Sequence, residues 1–156
     1  MLYIEEIDID LERCERVLRD NNYMEIIIAI EELQDKYRDK ILNINENEND
    51  TVWNYSKKDL ERIEKCIVNY KIDIILKERL KNIDKKLEDL RKYINDNIEN
   101  KDMLQEITNV IEVVHKKNIS LDKKHEELKV CFSLLKNLDR KVSVYILELI
   151  AMIISD

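Results

Sequence analysis

"KKDLERIEKCIVNYKIDIILKERLKNIDKKLEDLRKYINDNI", residues 57–98, decides how this chain is built. Leu60, Ile63, Ile67, Tyr70 and Ile74 recur at alternating steps of three and four, as do Leu80, Ile83, Leu87, Leu90 and Ile94. That spacing keeps each set on one face of an α-helix. Between the sets, the step from Ile74 to Leu80 is one residue short of a heptad. Such a slip either turns the apolar seam of one long helix or breaks it near residues 71–78. Unbroken, the segment would run on the order of 60 Å at ~1.5 Å per residue. A helix that long predicts a coiled-coil arm or a dimer spine.

The rest of the chain repeats the pattern at shorter range. Residues 3–20 read as a helix on Ile7, Leu11, Cys14 and Leu18, interrupted by Asn21–Asn22. Residues 23–44 read as a second, with Tyr23, Ile26, Ile27, Ile30, Leu33, Tyr37, Ile41 and Ile44 in register. A loop follows over 45–55. After residue 98, helices are expected over 101–117, on Leu104, Ile107, Ile111 and Val114, and over 121–154 as one or two pieces. The predicted fold is all-α: a single domain, 1–156, built as an irregular antiparallel bundle of five or six helices around the long segment.

Composition supports this and excludes much else. Among 156 residues there is neither Gly nor Pro, where about nineteen would be ordinary. A β-rich fold would lack its usual hairpin turns. Phosphate-cradling loops, dinucleotide fingerprints and nucleophile elbows all need glycine where backbone meets ligand, so they are excluded. Abundant Ile, Lys and Asn point to an AT-rich bacterial or phage genome.

Net charge is −7, and it is uneven. Residues 1–50 carry 15 acids and 6 bases, residues 51–100 carry 10 and 12, and residues 101–156 carry 9 of each. So acidic a chain is repelled by nucleic-acid phosphates unless a basic face is segregated. The three cysteines, Cys14, Cys66 and Cys131, are widely spaced and form no CxxC pair. This suits a reducing, cytoplasmic setting. The acidic start "MLYIEEIDID" has no apolar run of signal-peptide type. The most apolar stretch, "VSVYILELIAMIIS" at 142–155, is too short to span a bilayer and contains Glu148. It reads as a core or interface helix.

"NENENDTVWNYSKKDLE", residues 45–61, looks at first like a cation loop. A calcium loop of the EF-hand type needs Gly at its sixth position and Glu at its twelfth. Starting at Glu46 or Glu48, the twelfth residue is Lys57 or Asp59, so that reading fails. Helix-start chemistry fits instead, with Ser56 as N-cap, Asp59 three residues on, and Tyr55 and Leu60 placed as a hydrophobic staple. Trp53 either closes the bundle end or stands as an interface anchor.

Three further constellations carry chemistry on paper. Glu12, Glu15, Glu32 and Asp35 form two acid-x-x-acid pairs on successive helices, as a Mg²⁺-dependent all-α nucleotide pyrophosphatase would use. Glu112-x-x-His115 and Asp122-x-x-His125 have di-iron-like spacing. Flanking lysines argue instead for surface histidines. The basic run "HKKNISLDKKH", 115–125, reads as a solvated turn with Ser120 as cap.

The function expected from all this is a non-enzymatic helical protein–protein interaction module, a regulator, inhibitor or immunity-type partner. It would use no cofactor or metal, would bind another protein or a second copy of itself, and would engage neither nucleic acid nor membrane. Its interface is expected at Trp53, Tyr55, Tyr145, Ile146, Leu149 and Ile153. The pyrophosphatase on Glu12, Glu15, Glu32 and Asp35 is the alternative.

Overall fold

Residues 57–96 form one unbroken helix of 40 residues in the computed structural model, which describes residues 3–46, 55–96 and 99–155. Across the six-residue step the segment "KIDIILKE", 71–78, holds no Gly, Pro or Asn to stop a helix. The seam therefore changes phase without a break. In chain order the elements are α1 (Ile4–Asp20), α2 (Tyr23–Tyr37), α3 (Lys57–Asp96), α4 (Lys101–Lys116), α5 (Leu121–Leu135) and α6 (Arg140–Ile154). The all-helical reading holds, with no strand among the described residues.

The chain divides into two compact units, Met1–Leu76 and Lys77–Asp156. The division falls within α3, at the phase change.

In the N-terminal unit, α1 and α2 form an antiparallel hairpin, since Asp10 meets Lys36 and Tyr37 while Arg13 meets Glu32. Asn21–Asn22 makes its turn. Asn21 adopts the left-handed conformation, φ 53°, and its N–H donates to the Val17 carbonyl. The Asn22 side chain then accepts from the N–H groups of Met24 and Glu25, capping α2. A chain without glycine must place another residue wherever φ is positive. All three described positions of that kind, Asn21, Asn43 and Asn100, are asparagine.

The second helix ends at Tyr37, short of the predicted 44. Its apolar positions are still buried beyond that point. Ile44 is enclosed and Ile41 packs against the same core, although the chain there runs through turns. Gln34 Nε2 and Arg62 both donate to the Ile44 carbonyl, at 3.1 and 2.9 Å, and Arg62 also donates to the Asn43 carbonyl. Hydrophobic spacing reports burial, and side-chain donors satisfy the backbone where the helix does not.

The start of α3 matches its expected cap. The Ser56 N–H and hydroxyl donate to Asp59 Oδ2 at 2.7 and 3.0 Å, and the Asp59 N–H donates back to Ser56 Oγ at 3.4 Å. Tyr55 and Leu60 are both buried in the N-terminal core, with Ile7, Ile30, Leu33, Tyr37, Ile63 and Ile67. Trp53 lies outside the described residues.

In the C-terminal unit, α4 and α6 each run antiparallel to the second half of α3. Asp84 and Arg91 pair with His115 and Glu112 on α4. Arg79 and Lys86 meet Met152 and Glu148 on α6. The 121–154 segment is two helices, broken at Lys136–Asp139, where the Asp139 carboxylate accepts from the Lys141 N–H to start α6. The core joins Ile83, Leu87, Leu90 and Ile94 to Ile107, Ile111, Leu128, Ile146 and Leu149. No helix is long and apolar enough to cross a membrane among the described residues.

Candidate functional site

Helix α6 carries two apolar faces. One, Ile146, Leu149, Ile150 and Ile153, lies in the C-terminal core. The other is turned to solvent: Val144 is 45% exposed and Leu147 42%, and Ala151 is exposed one turn further on. From Val144 to Ile154 only Glu148 and the Tyr145 hydroxyl are polar. A helix that is apolar all round normally sits inside a larger assembly. Clustered apolar exposure of this kind marks an interaction surface.

Beside this helix lies a groove of about 340 Å³, at the lower end of the ~300–1,000 Å³ typical of binding pockets. Asp89, Leu90 and Tyr93 of α3 form one wall, and Asp139, Lys141, Val142 and Tyr145 at the start of α6 form the other. Tyr145 is held firmly. Its hydroxyl donates to the Lys86 carbonyl at 3.1 Å, and the Lys86 ammonium stands 4.9 Å from the ring centre. Lys86 also meets Glu148 at 3.6 Å. Burial, then the charges of Asp89 and Glu148, push the Tyr145 phenol above its ordinary pKa. The phenol stays neutral at ordinary pH.

The structure distributes the sequence-derived interface residues unevenly. Tyr145 lines the groove. Ile146, Leu149 and Ile153 are enclosed in the chain's own C-terminal core, and Tyr55 in the N-terminal core. Sequence reasoning did not single out Asp89, Tyr93, Asp139, Val144 or Leu147. The groove joins two helices about fifty residues apart in sequence, which no local pattern signals. The outer stripe was visible only as the all-round apolarity of 142–155.

The carboxylates of the enzymatic alternative are not gathered. Glu32 pairs with Arg13 at 2.6 Å, Asp35 with Arg38 at 3.1 Å, and Glu12 and Glu15 stand exposed on α1. Among the described residues no group of three His, Cys, Asp or Glu side chains could hold a metal ion. Glu112 is taken by Arg91 and Lys116. His115, expected at the surface, has an imidazole only 9% exposed, with Nε2 3.4 Å from Asp84. It is covered although its sequence neighbours are lysines.

The cysteines behave as small apolar groups. Burial, then Glu64 and Asp10, pushes the Cys14 thiol up to about 12. Burial, then Glu106, raises Cys131. Neither is a thiolate at neutral pH, so neither is an activated nucleophile.

The chain matches no protein-family model, no curated protein and no solved structure.

Proposed function

We propose that this protein is a non-enzymatic interaction module that binds another protein through the outer face of α6 and the groove beside it. The observation that carries the proposal is α6, whose Val144, Leu147 and Ala151 face solvent opposite a complete core face. Burying exposed aliphatic surface is worth about 25 cal/mol per Å², so a fitting apolar partner would find a ready contact here. The regulatory, inhibitory or immunity-type role expected for so small and acidic a chain would then act by occluding its partner.

Several basic side chains of α3 are already engaged within the chain. Lys71 pairs with Asp8, Arg91 with Glu112, Lys92 with Glu88, and Arg79 donates to the Met152 carbonyl. Cations held this way are poorly placed to track a phosphate backbone.

The test separates binding from folding. Val144→Lys with Leu147→Lys changes exposed positions and is expected to move stability by no more than about 0.5 kcal/mol. The tagged double variant, run beside wild type on lysate of the source cells, is expected to lose the protein that wild type retains. Equal retention by both, or none by wild type, contradicts the proposal.

A further inference from the structure

The groove between α3 and the start of α6 has an apolar floor and an acidic rim. Leu90 and Val142 supply aliphatic surface, Tyr93 and Tyr145 supply rings, and Asp89, Asp139 and Lys141 supply the charges. Among the described residues neither aspartate forms an ion pair, and the Asp139 carboxylate accepts the Lys141 backbone N–H. The lining therefore holds two carboxylates against one ammonium, in a chain whose net charge is −7.

We propose that this groove receives an arginine side chain from the protein partner, its stem on Leu90, Val142 and the tyrosine rings and its guanidinium at the Asp89 and Asp139 carboxylates. The proposal rests on the interaction reading above and names the partner's chemistry at that surface. Three observations favour this occupant. A long cationic side chain combines an apolar stem with a charged head, matching floor and rim together. An apolar occupant would shield two carboxylates from water without replacing their hydrogen bonds, and an acidic one would meet their repulsion. The molecule also shows the same chemistry internally, since the Lys86 ammonium already sits over the Tyr145 ring. Arginine suits better than lysine, because its planar fork can stack on a ring and still hydrogen-bond a carboxylate.

The probe is acetyl-Leu-Arg-Leu-amide, titrated into the ¹⁵N-labelled full chain, with the citrulline peptide as a neutral shape match. The arginine peptide is expected to shift the amides of Tyr93, Val142 and Tyr145 saturably. It should bind about fivefold more tightly than the citrulline peptide, the size of a ring contact plus an exposed ion pair. Asp89→Asn should bring the two peptides together. Equal affinity for both peptides, or shifts confined to other residues or absent, overturns the proposal. If the peptides fail while partner capture still depends on Val144 and Leu147, only the cationic occupant falls; if capture fails too, the interaction reading falls with it.

Discussion

Tyr37→Ala is expected to destabilise the N-terminal unit by about 3–5 kcal/mol, the range for removing a large buried aromatic. Tyr37 has no exposed surface and lies against Ile7, Ile30 and Leu33 in one core. Its ring meets Tyr70 edge-on at 5.9 Å between centroids. Its hydroxyl donates to Asp10 Oδ2 at 2.8 Å, alongside the Lys36 ammonium at 2.6 Å. Burial and the hydrogen bond to Asp10 push the phenol above its ordinary pKa, so it remains a donor throughout the working range.

The variant therefore opens a cavity and takes one of two donors from a nearly enclosed carboxylate. Tyr37→Phe keeps the packing and removes only the donor, for about 1–3 kcal/mol. Native-state hydrogen exchange at α1 and α2 amides measures both. A Phe variant as damaged as the Ala variant would mean that the hydrogen bond outweighs the packing.

Leu149→Ala is expected to cost the C-terminal unit about 2–5 kcal/mol. This residue has two competing readings. As an interface side chain, it could be shortened with little effect on the isolated chain. As placed here, with no exposed surface among Ile146, Ile150 and Ile153, it is core. Hydrogen exchange at α4 and α6 amides of the purified variant decides between them. A change under about 0.5 kcal/mol, normal for a surface substitution, would return Leu149 to the interface.

Much of the fold was legible because apolar spacing in this chain is clean. Ile63 and Ile67, Leu87 and Leu90, Ile107 and Ile111 all lie in the cores their periodicity implied. The capped start of α3 was legible too, because Ser56 and Asp59 stand at the spacing their reciprocal hydrogen bonds require. Periodicity could not place the end of α2. Ile41 and Ile44 keep helical spacing while Arg62 and Gln34 hold the turn that buries them.

Asparagine also has a structural use that composition does not announce. The abundance of asparagine reads as codon bias, yet Asn21, Asn43 and Asn100 occupy backbone conformations that glycine would otherwise fill.

The candidate site was legible only in part. An apolar seam announces burial without saying whether the covering surface belongs to the same chain. Tyr145, Ile146, Leu149 and Ile153 share one seam, yet only Tyr145 reaches the groove. Asp89 and Asp139 look like ordinary surface acids until α3 and α6 are brought side by side.

On the proposed function, the outer face of α6 meets another protein. A photoreactive benzophenone residue in place of Leu147, with irradiation in the source cells, tests it most directly. Lys123, exposed on α5, serves as the control position. A discrete heavier adduct is expected from position 147 and none from 123, with the mass identifying either a partner or a second copy of this chain. No adduct at 147, or the same adducts from both positions, would contradict it.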